Sequence, residues 1–517
     1  MACGTPVSAS SKGLPVHNSR NARLMLPQIH RRGLLSIFIV GITLFSLCYI
    51  ALPTEQHRLI LRHCQQCSFF LGNRPLKDNI LKQAIAHGAE EFFPGQPDVN
   101  KLANAPAQMP EALQSEPDYI KALRQVEPIP EDNSEKYLTY IGCSGFHNQR
   151  IELANAFMLA HLLNRTLLMP RALLGTVVGW RPFDAGLRSH GLHRKNGLED
   201  CAASPPGVNK TCDHANQYTY LSWEYLYNFN DIRSYVRWIE REDYSMQWLR
   251  KKLDIGEEDI FLIKDSKPYE YIIFELSNSS HSTDKYDYKI SVDDLRRIPH
   301  KLIHFGSLYG GYRILLESSE NKQMYDQIME SFVVSQPEIV ETVDSVVERL
   351  GGSWQYNSLH VRVGDGMFQR NSRVWMSQIY NDLVRAVPPP PLDRRFQSTT
   401  AEECLAQGVD LLFLATDARS PRQNKLFTKF YNDYPCIITL GDVFDLSTSP
   451  INQLRSPYDN LPLGRFFIPL VDALVAARGE QFIPTRMSTF SRYVSLVRKK
   501  IRKEEGLPEK GRNLLSL

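Results

Sequence analysis

The stretch Tyr137–Pro170, YLTYIGCSGFHNQRIELANAFMLAHLLNRTLLMP, changes its hydrophobic period twice. Tyr137–Gly142 reads as a buried strand. Two glycines, Gly142 and Gly145, then break the pattern. From Asn148 the apolar residues Leu153, Ala156, Phe157, Ala160 and Leu163 recur on one helical face, and Thr166–Pro170 returns to a short apolar run. Strand, glycine turn, helix and strand make a βαβ unit, and such units build parallel sheets.

A second alternation begins near Ser353. Asn357–Val363 alternates as a strand, and Val409–Asp417 is a continuous apolar run of the kind covered on both faces. A helix is expected over Ser420–Asp433, with Ser420 as N-cap and Pro421 at the first helical position. A buried strand (Cys436–Asp442), a helix (Leu463–Glu480), a short strand (Gln481–Pro484) and a final helix (Ser488–Lys503) follow. Between the two alternations the chain is rich in Trp and Tyr, and Ser234–Ser245 and Ser245–Asp254 read as helices. The reading is two α/β domains with Rossmann-type parallel sheets, residues 136–340 and 341–500, and a cleft between them suited to a ligand.

The composition, 43% apolar and 23% charged, is that of a globular protein. Residues 1–32 hold five Lys or Arg and no Asp or Glu, so of a net charge of +3 this tail carries +5 and the rest −2. A near-neutral main body argues against nucleic-acid binding, which needs a concentrated basic face. Gly33–Leu52 is 20 uncharged residues preceded by His30, Arg31 and Arg32. That predicts one membrane-spanning signal anchor, a cytosolic tail at 1–32, and everything after Leu52 on the far side. Residues 53–135 read as a luminal stem with one helical stretch, and 501–517 as a C-terminal tail. A location in the Golgi or ER membrane follows as an expectation.

Beyond a secretory membrane disulfides are permitted. Cys201 and Cys212 bracket a turn-rich loop and are expected to pair; Cys64 and Cys67 are expected in a stem disulfide. Asn164, Asn209 and Asn278 begin N-glycosylation sequons, and Asn209 and Asn278 lie in polar loops.

Four strand-end segments can converge on a cleft. Gly142–Arg150 joins glycines to a helix N-terminus, which favours an anion. His360–Asp365 (HVRVGD) offers Arg362 as a bidentate phosphate partner, or as half of a structural pair with Asp365. Ala415–Arg419 places Asp417 where it can bind a hydroxyl or cap a helix. Thr485–Ser491 supplies hydroxyls at another helix N-terminus. No Asp-x-Asp pair and no His or Cys cluster at zinc spacing is found, so neither a metal nor a cofactor is expected, and Arg and backbone N–H groups would stabilise a departing diphosphate.

Three of these motifs, in order, resemble the GDP-fucose O-fucosyltransferases, glycosyltransferases of the two-domain GT-B fold. GCSGFHNQR resembles the family's first-domain loop, and HVRVGD its His-x-Arg motif. PLVDALVAARGEQFIPTRMSTFS resembles its C-terminal block, with Asp472 standing 16 positions before Ser488. The resemblance spans Lys136–Lys500. It implies a metal-independent, inverting transfer of fucose from GDP-fucose to a hydroxyl of a secretory-pathway protein or glycan. Arg362 and Asn148 would be the catalytic residues. Phe146, His147, His360, Asp417, Asp472, Ser488, Thr489 and Phe490 would bind the donor, with Asp472 on the guanine, and Arg150 and Asp365 are further candidates. The first loop carries Cys143, Ser144 and Gly145 where some members have a Glu or an Arg. Use of another nucleotide sugar, or an inactive luminal scaffold, therefore stays open.

Overall fold

The computed structural model describes residues 116–126, 134–193, 195–283, 285–311, 313–364, 366–391 and 400–508. The expected membrane segment, most of the stem, Cys64 and Cys67 lie outside them. Among the described residues no helix is long and apolar enough to cross a membrane.

The first helix, α1 (Asp118–Gln125), falls in the expected stem but packs against the folded body. It buries Tyr119, Ile120 and Leu123, and the Tyr119 hydroxyl donates to Glu270 at 2.6 Å. Then come β1 (Tyr137–Tyr140), α2 (Phe146–Leu163) and β2 (Thr166–Pro170), the βαβ unit read from the sequence. The remaining strands of this half's main sheet are β3 (Trp238–Arg241), β4 (Ile260–Ile263) and β5 (Leu302–Phe305). All are parallel, in the order β3-β2-β1-β5-β4. Every residue of β1, β2 and β5 is buried, as a sheet covered on both faces requires.

The second half repeats the plan. After α3 (Ser319–Glu330) and α4 (Pro337–Arg349) come β6 (Asn357–Val361), α5 (Ser372–Ala386), β7 (Leu412–Thr416) and β8 (Ile437–Thr439). Then follow α6 (Gly464–Ala477), β9 (Phe482–Ile483) and α7 (Thr489–Glu504). Its sheet is also parallel, ordered β8-β7-β6-β9. In both sheets the chain winds outward from the first strand and then returns to its other side. The carboxyl ends of β1 and β6 are therefore topological switch points.

Two segments depart from the sequence reading. Ser234–Ser245 is not helical: Trp238–Arg241 is the edge strand of the first sheet, in register with Leu167–Pro170. Ser420–Asp433 is not one helix. Ser420 adopts φ +47° and caps nothing, while Asn424 is extended and accepts from Leu426 N. That local side-chain bond competes with the helix and breaks it into two short 3-10 turns and Thr428–Asp433.

The halves share a core. One buried cluster runs from Leu138 and Phe157 through Trp223 and Phe332 to Phe413, Val471 and Val494. Helix α2 lies inside it, buried on every side between Gln149 and Ala160, so the one-sided helix read from the sequence is covered all round. Its polar residues are used internally. Gln149 bridges Ser144 O and Leu173, and Asn155 donates to Leu308 O and Gly310 O while accepting from Tyr325. Cys201 and Cys212 are paired as expected, and a second disulfide joins Cys404 to Cys436. Asn209 and Asn278 are both exposed, Asn209 also capping Lys210–Ala215.

Candidate active site

At the first switch point the turn after β1 is filled by the chain's own groups. Ser144 is held at φ +67° and donates its N–H to Val178 O. Beneath it sits Glu152, fully buried. One oxygen accepts from Cys143 N at 2.9 Å; the other accepts from the Cys143 thiol and the Ser307 hydroxyl, both at 3.1 Å. Burial raises this carboxyl to about 8, against the pull of those hydrogen bonds. The Cys143 amide thus points at the Glu152 carboxyl and not at an external anion. What the turn presents outward is the start of α2, where Gly145 is the N-cap and no side chain caps the helix.

The second switch point, between β6 and β9, is laced by hydroxyls beyond the two-residue strand. Thr485 Oγ1 accepts from Arg362 N at 3.0 Å and donates to His360 O at 2.6 Å. Thr485 N donates to Ser491 Oγ at 3.0 Å, and Ser491 Oγ lies 2.7 Å from His360 Nδ1. Burial, and then the charge of Arg362, depress the His360 imidazole to about 3, so it is neutral at ordinary pH. Asp417 takes the N–H of Val363 at 2.8 Å and of Gly364 at 3.0 Å, which pins the loop after Arg362. A Cβ on Gly364 would meet Asp417 Oδ2 at 2.8 Å and displace that carboxylate. The Arg362 guanidinium is partly exposed and lies 4.7 Å above the Phe368 ring.

At the head of α7, Ser488 is the N-cap by position but its hydroxyl makes no capping bond. Ser488 is 0% exposed and its Oγ has no hydrogen-bond partner among the described residues. A long helix therefore begins with free N–H groups, a positive dipole end and an unused buried hydroxyl side by side.

The two switch points meet. Phe490 stacks on His360 at 4.3 Å and stands perpendicular to His147, 5.5 Å away. His147 also lies 4.6 Å from Tyr493. Burial keeps His147 neutral, reinforced by the charges of Arg150 and Arg362, and its Nδ1 is buried without a partner. Phe146 stacks on Trp223 at 5.3 Å. Arg150 is 1% exposed, clasped between the Tyr493 and Phe332 rings at 5.0 and 5.6 Å, with Nε and Nη1 unpartnered.

Phe146, His147, His360, Arg362, Ser488, Thr489 and Phe490 are thus brought together, with Arg150 behind them. Asp417 is one step back, on the Arg362 loop. Asn148 lies in the first turn of α2, next to His147, and its side chain makes no hydrogen bond among the described residues. Asp472 is on α6, partly exposed and without a side-chain hydrogen bond among the described residues, and burial lifts its carboxyl to about 8. Asp365 lies outside the described residues. Glu152 and Tyr493 escape motif reading, because their roles depend on contacts between distant segments, whereas Thr485 opens a segment singled out from the sequence. Among the described residues no group of three His, Cys, Asp or Glu side chains is placed to hold a metal ion.

No family model matches the chain, and no curated protein does. Among solved structures it is similar to POFUT1 in complex with GDP, at 12% identity and TM-score 0.32, covering 72% of this chain and 96% of that one. It is also similar to a mutant of Arabidopsis thaliana FUT1 in complex with GDP, at 13% and 0.35, covering 74% and 72%. A third similarity is to the fucosyltransferase NodZ from Bradyrhizobium, at 15% and 0.29, covering 71% and 94%.

Proposed function

We propose that the chain is a glycosyltransferase that moves fucose from GDP-fucose to an acceptor hydroxyl, inverting the anomeric carbon. The observation that carries this is the unpartnered, fully buried Ser488 hydroxyl at the head of α7, beside the strand that bears Arg362. A nucleotide diphosphate supplies what that turn lacks: acceptor oxygens for the hydroxyl and the free N–H groups, and negative charge for the helix dipole.

Each neighbouring residue has a part in this reading. Arg362 pairs with the diphosphate as the sugar–oxygen bond lengthens and charge gathers on the leaving phosphate. His360, neutral and stacked on Phe490, borders the ribose. Asp472 accepts from the N1 and exocyclic N–H groups of guanine, a pattern that uracil and adenine do not present. The acceptor oxygen attacks the anomeric carbon from the face opposite the departing GDP, which gives inversion. His147 and Asn148 line the opposite wall, on α2.

The test is the melting temperature of the purified protein with GDP, UDP or ADP. Only GDP is expected to raise it. At about one hundred times Kd the added stability is about 2.7 kcal/mol. A shift with UDP alone overturns the GDP assignment, and no shift with any of the three overturns the donor site. Release of GDP from GDP-fucose then separates an active enzyme from a binding protein.

A further inference from the structure

A cavity of about 390 Å³ opens at the carboxyl ends of β2 and β3, away from the residues assigned to the donor. It falls within the range of about 300–1,000 Å³ typical of ligand sites. Its floor includes His190, whose Nε2 donates to Gly142 O at 2.7 Å. The cavity therefore adjoins the turn that carries Phe146 and His147. Its roof comes from the second half, through Tyr458 and Asp459.

The cations in its wall are already engaged. Lys195 bonds Asp459 at 2.5 Å, and Arg171 bonds Glu240 at 2.6 Å while lying 3.7 Å over the Tyr458 ring. Arg241 is buried and donates to Thr139 and to the carbonyl of Asp243. Among the described residues Lys195 and Arg171 are neutralised by carboxylates, and each nitrogen of the Arg241 guanidinium is engaged by a neutral oxygen. What is left over is uncharged or acidic. His190 is 7% exposed, and with Nε2 donating, its buried Nδ1 is a bare acceptor. Burial pushes this ring down to about 4, so it stays neutral. The Trp248 indole N–H is a buried donor without a partner among the described residues. Glu242 is exposed and makes no ion pair among the described residues. Tyr220, Tyr244, Trp248 and Tyr458 supply aromatic surface.

We propose that this cavity binds a neutral saccharide, and that the saccharide is the acceptor whose hydroxyl receives the transferred sugar. A sugar hydroxyl donates and accepts at once, matching a bare imidazole nitrogen, an indole N–H and a carboxylate. Its C–H face packs on aromatic rings. The role as acceptor rests on the transferase reading; the saccharide site itself does not.

The experiment is ligand-observed saturation-transfer NMR on the full-length protein. The probes are neutral methyl galactoside, methyl N-acetylglucosaminide, chitobiose and lactose, a sialylated lactose, and an unglycosylated Ser/Thr peptide, each with and without GDP. At least one neutral saccharide is expected to bind, and Glu242→Ala and Trp248→Phe each weaken it tenfold or more. The GDP melting shift stays as in the wild type. Glu242 is an exposed side chain, so its variant keeps the test readable if Trp248→Phe fails to fold. Binding of no neutral saccharide, of the peptide alone, or of saccharides with unchanged affinity in a folded variant overturns the proposal. If GDP gives no melting shift while a saccharide binds and responds to Glu242→Ala, the donor reading falls and the saccharide site stands.

Discussion

The two halves share one winding order but finish their switch points differently. In the first half the turn after β1 is closed from within, because Glu152 accepts from Cys143 and Ser307. In the second half the turn before α7 is left open, because Ser488 is sealed from water with nothing to bond. Both turns lie beyond the carboxyl end of a parallel strand, and both start a helix. What separates a structural turn from a ligand turn is therefore whether its polar atoms are already satisfied.

The sharpest way to break this contrast is Arg362→Ala. Removing a donor aimed at developing charge typically costs about 2.7–4 kcal/mol, so turnover should fall by at least about a hundredfold in a GDP-release assay. The matching change in the first half is Glu152→Leu. It strands the Cys143 amide and the Ser307 hydroxyl at about 1–3 kcal/mol each. The melting temperature should drop while GDP still stabilises the remaining folded fraction; loss of the GDP response alone would reverse the roles of the two turns.

Carboxyls held protonated in the fold sharpen the contrast through pH. Glu152 and Asp472 hold their protons to about 8 in the fold and Asp265 to about 7, all above their unfolded values. Their contribution is full below the unfolded pKa and is lost as pH rises through those values. The neutral histidines oppose this only below about 6.5. The melting temperature should therefore decline between about pH 6.5 and 8, and less so in Glu152→Gln. For Asp472 the sign reverses in the proposed GDP binding, since a guanine donor pair would need the ionised carboxylate. GDP affinity measured calorimetrically should rise with pH toward about 8, by up to about tenfold per unit, and lose that slope in Asp472→Asn. The smallest effect expected is from Thr485→Val. It keeps the shape but drops the bonds to Arg362 N and His360 O, for about 1 kcal/mol in urea unfolding.

Much of this scaffold is legible in the sequence. The switch from period two to a helical repeat after Gly145, and the apolar run into Asp417, give both parallel sheets. The edge strand Trp238–Arg241 is not legible, because WIER carries the same apolar residues a helix would show and only pairing with Leu167–Pro170 decides it. The spacing from Asp472 to Ser488 marks the second turn. That Ser488 lacks a partner, while Ser491 is engaged by His360, follows only from packing. Glu152 lies 155 positions from Ser307, and no local pattern joins them. The Cys404–Cys436 pair spans 32 positions that include β7, with no turn signal to suggest it.

That second disulfide has a practical consequence. Cys404 and Cys436 are 0% and 1% exposed, so a reductant such as dithiothreitol reaches the bond only when the surrounding layer opens. Trapping the released thiols over time would count spontaneous openings of the second half. Slower trapping with GDP present would show that ligand and crosslink hold the same cooperative block.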